Sequence, residues 1–432
     1  MNTPYWFGKY FRNTAWLLAE RIIRLGIAFF VGVYVIRYLG PEDYGKISYV
    51  LSFVGLFAAI SSLGLDSIVV RNLVNNPENR DELLGTSFIL KLFGILFSWV
   101  IIAATVSFMN NDHEINIYII IIISAFVFQC FNVIDYNYQA TVQSVFVVQA
   151  YFVQIILSSI IKVTLVVNEA PLIFFVLVVI VDATVIALVL ILNYLRKTGS
   201  LLDWRWSSSC AKKLLKDSWP LILSGAAITI YMQIDQVMIK EILGYEAVGN
   251  YSVAVRLSEL WYFIPMAITS SLFPAILEAK NKSNSLYLDR MQNLYDILVI
   301  LAVAIAIPVT FFSDEIIFYI FGGEYGGSSS VLVIHIWAGI FVFLNNASWK
   351  WYIAENLQKI ANYRLYVGLI INVLLNYFLI PIYGITGAAV ATVLSRALSS
   401  YIGNIFLRKT RPLFFQQTKA LFVFFDLKRV FK

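Results

Sequence analysis

The sequence predicts an all-α polytopic membrane protein, about twelve transmembrane helices in two six-helix halves with a pseudo-two-fold repeat around a central cavity. Three observations carry this. Of 432 residues, 60% are hydrophobic and 13% charged, against about 45–50% and about 25% in a soluble globular chain. Apolar runs long enough to cross a bilayer recur along the whole length. A ten-residue segment near the start returns in the middle. Soluble enzymes, disordered scaffolds and nucleic-acid binders are excluded by the composition. Two cysteines are too few for a disulfide-stapled secreted protein. A membrane β-barrel alternates apolar and polar residues, and these runs do not.

A helix spanning the roughly 30 Å hydrocarbon core needs about 20 apolar residues. Twelve runs qualify: 13–37, 44–70, 83–109, 116–136, 145–167, 171–195, 219–243, 249–276, 291–312, 329–353, 361–384 and 386–407. The first lacks a small-residue cleavage site and is interrupted by Glu20, Arg21 and Arg24, so it reads as a retained span and not a signal peptide. After the sixth comes the longest inner connection, 196–218, with six cations. The predicted organisation is therefore a six-helix half over 1–195, a basic linker over 196–218, a second half over 219–407 and a basic amphipathic tail over 408–432. In that tail Phe414, Phe415, Leu421, Phe422, Phe424 and Phe425 lie beside Lys419, Lys428, Arg429 and Lys432, which suits an amphipathic helix lying on the membrane surface. The outer connection 313–328, with Gly322-Gly323 and Gly326-Gly327, reads as a flexible turn.

Loop charges orient the chain. With the N-terminus inside, the inner segments carry 22 Lys and Arg and the outer loops one, Lys240. By the positive-inside rule both termini are cytoplasmic and the number of spans is even. The net charge of +6 then reflects contact with anionic inner-membrane lipids. No nucleic-acid partner is indicated. Cys130 falls in a span and Cys210 in an inner loop, so no disulfide is expected.

The repeat pairs Leu39-Gly40-Pro41-Glu42-Asp43-Tyr44-Gly45-Lys46-Ile47-Ser48 with Leu243-Gly244-Tyr245-Glu246-Ala247-Val248-Gly249-Asn250-Tyr251-Ser252, 204 residues later and identical at five of ten positions. Each copy occupies the turn between the first two spans of its half. One glycine ends the first helix where φ > 0 is needed; the other lets the next helix start close by. Six spans per half give both halves the same orientation, so their pseudo-axis runs along the membrane normal, as in parallel-repeat transporters.

The turn 39–45, followed by Leu63-Gly64-Leu65-Asp66 and Arg71, resembles the N-terminal half of bacterial polysaccharide-biosynthesis flippases. These are the Wzx-type O-antigen and capsule translocases of the multidrug/oligosaccharidyl-lipid/polysaccharide exporter superfamily. Ile234-Asp235-Gln236, Leu243-Gly244, Val248-Gly249, Tyr251-Ser252 and Arg256 are similar to the same family's seventh and eighth spans, and Tyr383-Gly384-Ile385-Thr386-Gly387-Ala388-Ala389 to its last turn. The resemblance covers nearly the whole chain in topology and concentrates in these three stretches. It implies a non-enzymatic carrier in the bacterial inner membrane, moving polyprenyl-pyrophosphate-linked oligosaccharide by alternating access beside polymerase and chain-length proteins. It also implies that spans one and eight contribute cavity-lining cations, here Arg24 and Arg256.

Ionisable groups inside spans face the bundle interior, a partner or a wet cavity. At about 1.5 Å per residue, Arg24, Asp182, Glu259 and Arg396 fall near the midplane, with Arg256 and Asp235 in the outer half and Lys91 and Asp66 in the inner half. Glu20–Arg24 and Arg256–Glu259 share helix faces. Two roles stay open for this set. They are either internal ion pairs between helices or the polar lining of a cavity. In the second case Arg24, Arg256, Arg396 and Lys91 are the candidate substrate contacts, since an arginine fork suits pyrophosphate. Asp235, Glu259, Asp182 and Asp66 are then candidates for coupling to a proton or Na⁺. Trp261, Tyr262, Trp337, Trp349, Trp351 and Tyr352 can stack on sugar rings, though interfacial aromatic belts account for most of them without a ligand, and Trp351 and Tyr352 at an inner span end fit such a belt well. His113 and His335 lack metal-ligand spacing, and no metal or cofactor is called for. No Gly-rich phosphate loop or large external loop supports an ATPase or polymerase. A drug/cation antiporter of the same superfamily and a membrane enzyme of polysaccharide assembly are the competing functions.

Overall fold

The computed structural model describes the backbone of residues 5–109 and 112–425, with side chains from Ile23 onward. Its helices, in chain order, are α1 Tyr5–Gly55, α2 Ala58–Ser62, α3 Asp66–Asn75, α4 Arg80–Phe108, α5 His113–Ser124, α6 Val133–Ala140, α7 Val145–Val167, α8 Leu172–Lys197 and α9 Ser208–Leu243. They continue as α10 Tyr245–Glu259, α11 Phe263–Lys282, α12 Asn284–Phe311, α13 Ser313–Phe321, α14 Gly327–His335, α15 Ala338–Ala354, α16 Gln358–Tyr383, α17 Ile385–Ser400 and α18 Arg411–Leu421. The described residues contain no strand. The protein is an all-α polytopic membrane protein.

Among the described residues, eleven stretches are long and apolar enough to cross a membrane. The first, Ile23–Gly55, contains a break at Gly40 (φ 70°, ψ 174°). The second expected span starts there and is not continuous: it runs through the end of α1, then α2 and α3, interrupted where Leu63 and Gly64 both take φ > 0. About twelve membrane helices result, one of them in pieces.

Gly244 repeats the conformation of Gly40 (φ 93°, ψ −176°) at the matching position of the repeat. This backbone region is open essentially to glycine alone, so each copy of the turn requires it.

Two compact units divide the chain. The first takes in the residues up to Leu39 and Val50–Ile230; the second takes in Gly40–Tyr49 and Tyr231–Lys432. The first is organised around Leu65, Val69, Leu84, Leu90, Val133, Ile134, Tyr138 and Tyr194, all buried. Its stretch 196–218 is no free connection. Arg205 donates its N–H to Asp81 O (3.1 Å), Ser207 donates to Thr86 Oγ1 (3.1 Å), and α9 is helical from Ser208.

In the second unit, the two copies of the repeat cross. A Cβ on Gly45 would sit 1.8 Å from Tyr245 O, and one on Gly249 would sit 1.9 Å from Pro41 O. Pro41 and Tyr245 are themselves repeat equivalents, as are Gly45 and Gly249, so the contact is reciprocal, as a two-fold relation requires. Ala388, Ala389 and Ala391 are likewise fully buried in α17, which lets helices approach closely.

Three expectations change here. Residues 313–328 form α13 and a buried 3-10 turn at Tyr325, not a flexible loop, because Ile317, Phe321 and Tyr325 turn inward. Trp351 and Tyr352 are buried in the second core with Leu298 and Phe343, not placed on an interfacial belt. The tail helix α18 docks through Leu413, Gln417 and Ala420 while leaving Phe415 exposed. Gln416 Nε2 donates to Leu288 O (2.9 Å) and Gln417 Nε2 to Ser348 Oγ (2.8 Å). The side chains of Lys428, Arg429 and Lys432 lie outside those described.

Candidate functional site

Polar side chains inside apolar helices gather at one place in each unit. In the first, α5 and α6 are joined by an eight-residue 3-10 stretch, Ala125–Asn132. A 3-10 helix has three residues per turn, so positions i and i+3 eclipse. Phe126, Gln129 and Asn132 therefore fall on one stripe, and all three line a cavity of about 280 Å³ with Phe128, Tyr151 and Asp182. Asp182 on α8 accepts from Ser158 Oγ (3.1 Å) and lies 3.7 Å from Lys162 Nζ, both on α7. The Arg24 guanidinium sits over the Tyr151 ring, 4.9 Å from its centroid, a cation–π contact that gains strength away from water. The chemistry on offer is two amides, a carboxylate and an aromatic face beside a cation. Those groups suit a hydroxyl-rich ligand with a negative charge.

Sequence reasoning singled out Arg24 and Asp182 by their charge. It missed Gln129 and Asn132, which are neutral, and Tyr151, which looks like any span aromatic. Two amides three residues apart in an otherwise apolar run were the available signal.

In the second unit, α9 and α10 meet α16 and α17 around Asp235. The carboxylate accepts from Tyr251 OH (2.7 Å), Asn376 Nδ2 (2.6 Å) and Thr392 Oγ1 (2.6 Å). No basic side chain among the described residues pairs with it. One turn along each helix, Tyr231 OH and Ser395 Oγ are 2.9 Å apart. Arg396, next on α17, points instead to Glu259 (3.6 Å) and Tyr262, donating to its OH (3.0 Å) and lying 5.4 Å from its ring centroid. Two kinds of group thus sit within a turn of each other: a carboxylate held by neutral donors, and a guanidinium held by a carboxylate and an aromatic ring. His335 is used up nearby, its Nδ1 2.6 Å from Ser258 Oγ.

The structure pairs Glu259 with Arg396, in place of the Arg256–Glu259 pair expected from helix spacing. The reason is direction: i and i+3 share a face, but a buried guanidinium on a facing helix competes for the same carboxylate. Arg256 is half-buried. The Glu20 side chain, expected to face Arg24, lies outside those described. Lys91 is 4% exposed and turned into the first core, its amine on Tyr136 OH (2.9 Å), which in turn donates to Asp66. Of the eight candidates, then, Asp235, Glu259 and Arg396 share one cluster and Arg24 and Asp182 flank one cavity. Lys91 and Asp66 form a third group. No group of three or more His, Cys, Asp or Glu among the described residues is arranged to hold a metal.

Comparison with known proteins bears on this arrangement. Residues 220–378 match the MatE family. The chain is 26% identical over 210 residues to a Haloferax volcanii protein described as the probable low-salt glycan biosynthesis flippase Agl15, covering 48% of this chain and 44% of that one. The chain thus spans under half the length of that relative. It is 21% identical over 416 residues to an uncharacterized membrane protein of Methanocaldococcus jannaschii, covering 89% and 81%. In fold it is similar to an inward-facing multidrug resistance MATE family transporter of the MOP superfamily, with TM-score 0.74, 14% identity and coverage of 90% and 94%. It is similar too to the lipid II flippase MurJ in an inward closed conformation, with TM-score 0.71, 14% identity and coverage of 95% and 91%. Residues 10–280, more than half of the chain, match the polysaccharide biosynthesis protein family, and the chain belongs to that family.

Proposed function

We propose that the protein is a flippase that carries polyprenyl-pyrophosphate-linked oligosaccharide repeat units, such as O-antigen or capsule units, across the inner membrane by alternating access of two six-helix halves. The observation that carries this reading is the first unit's cavity: Gln129, Asn132 and Asp182 offer hydrogen bonds to sugar hydroxyls and Tyr151 an apolar ring face, while Arg24, stacked on that ring next to the cavity, supplies a charge for phosphate. Arg256 and Arg396 are the further cationic contacts. Asp235 leads the coupling candidates, since a carboxylate ringed by neutral hydroxyl and amide groups binds or releases a cation without breaking an internal ion pair. The excess of basic residues in alternate loops supports cytoplasmic termini.

The test is reconstitution into proteoliposomes with a fluorescent lipid-linked oligosaccharide. Translocation without new covalent products is expected, with strong loss in Arg24→Ala and Arg256→Ala. Undiminished translocation in both variants refutes the cationic contact. Indifference to collapse of both proton and Na⁺ gradients refutes coupling through the carboxylates. The MatE match over 220–378 favours one second reading, an ion-coupled drug antiporter; export of cationic dyes with no movement of the glycolipid establishes it instead.

A further inference from the structure

The group formed by Lys91, Tyr136 and Asp66 belongs to neither site above. Lys91 on α4 is almost wholly enclosed, and its amine donates to Tyr136 OH at 2.9 Å and lies 5.0 Å from that ring's centroid. The Tyr136 hydroxyl, on α6, donates onward to a carboxylate oxygen of Asp66, the first residue of α3. Asp66 is exposed while Tyr136 is 4% exposed. Tyr136 belongs to the buried hydrocarbon core that holds Leu65, Val69, Leu90, Val133 and Ile134. Neither Lys91 nor Asp66 makes a direct ion pair among the described residues. The other titratable groups facing it are Asp135 from α6, Cys130 from the 3-10 stretch and Tyr151 from α7.

We propose that Lys91 is a proton-loading site of the first unit, reached from the protein surface through Tyr136 and Asp66. The direction of the hydrogen bonds defines the step. The Lys91 Nζ–H bond breaks as a new O–H bond forms on Tyr136; the original Tyr136 O–H breaks as a proton joins the Asp66 carboxylate. Tyr136 ends as it began, the ammonium and carboxylate are both neutralised, and Asp66 then releases its proton to water. The reverse sequence reloads the amine. Through this chain a buried amine exchanges protons without meeting solvent, and no metal cation competes for an ammonium. An enclosed charge with one hydrogen bond is costly, so loss of the proton is coupled to whatever opens or closes the surrounding helices. The inference rests on the transport reading for its use, though not for its existence.

The experiment has two arms on the full-length protein in proteoliposomes. In the first, pH jumps on solid-supported membranes, with protons as the only probe, read the transient charge movement of binding. In an Asp235→Asn background, which silences the second unit's carboxylate, Lys91→Met abolishes the remaining transient and Tyr136→Phe, which keeps the ring, slows or abolishes it. The exposed Asp66→Asn, which leaves the core intact, slows it too. In the second, a one-unit pH gradient drives accumulation of the fluorescent glycolipid up to about tenfold in a one-for-one exchange, because one pH unit is a factor of ten in free-energy terms. Tyr136→Phe removes this while gradient-independent exchange persists. Unchanged transients in Lys91→Met and Tyr136→Phe overturn the proposal and leave a tyrosine-bridged structural pair. Transients lost in Lys91→Met, together with no glycolipid movement by the wild type, uphold the proton site and refute the substrate reading.

Discussion

Replacing Gly45 by alanine puts a methyl carbon 1.8 Å from Tyr245 O, 2.7 Å from the same carbonyl carbon and 3.0 Å from Gly249 N. Ordinary contact begins near 3.4 Å, so the two helices must part by about 1.6 Å locally. The obstacle is backbone, which cannot swing aside as a side chain does. Overpacking of a tight core costs about 1–3 kcal/mol, and the upper part of that range applies here. Gly249→Ala makes the mirror-image clash with Pro41 O at 1.9 Å and has the same predicted cost. The informative measurement is the double variant. One separation relieves both clashes, so the pair should cost little more than either alone, a coupling of about −2 kcal/mol where independent sites would add. Gly26 serves as control: a Cβ there meets nothing within 4 Å, and Gly26→Ala should be neutral or stabilising by about 0.5–1 kcal/mol through helix propensity. Unfolding of the purified protein in detergent by SDS titration, followed by circular dichroism, reads all four. Additive losses, or a Gly45→Ala protein as stable as wild type, would refute the reciprocal crossing.

Two further outcomes follow from polar contacts of different depth. Asn404 accepts from Tyr352 OH (2.8 Å) and from Arg364, and donates to Gln417 Oε1 (2.7 Å), all within the second unit. Asn404→Leu removes one of the acceptors of the half-buried Arg364 guanidinium, which keeps Ser399 O and the Tyr352 ring, and should cost about 1–3 kcal/mol, the range for leaving buried donors unsatisfied, with α18 becoming sensitive to protease first. Arg71 and Asp217 are 2.5 Å apart with side chains 54% and 34% exposed; Arg71→Ala should cost under about 1 kcal/mol, and a larger loss in thermal unfolding would show that this pair does more than decorate the surface.

The spans were legible because hydropathy is written locally, about twenty residues at a time. So was the repeat turn, since a backbone conformation reserved for glycine leaves its mark at fixed positions, Gly40 and Gly244. The break at Leu63–Gly64 was harder to see: Leu63 ends α2 in a left-handed cap at φ 52°, a position that a leucine does not advertise in sequence. The sites divide in the same way. Charge in an apolar run flagged Arg24, Asp235 and Arg396, whereas partner choice was hidden. Glu259 and Arg396 are 137 positions apart, and Lys91 reaches Asp66 only through a tyrosine 45 residues further on. The tail read as a surface helix because its phenylalanines dominate the pattern. What docks it is Leu413 and Ala420 in the second core together with a pair of glutamines, whose value depends on acceptors elsewhere in the chain.

The crossing of Gly45 with Tyr245 also sets a timetable for biosynthesis. Pro41 and Tyr245 are separated by 204 residues, which at about 5–20 residues per second of synthesis is a delay of roughly 10–40 s. Throughout that interval the Gly40–Tyr49 segment waits for its cognate surface, which is not yet made. A nascent chain stalled before α10 would therefore carry an incomplete helix pair, the kind of lesion that membrane quality control recognises. Expressed as separate halves, the protein should accumulate only when the second half is supplied alongside the first.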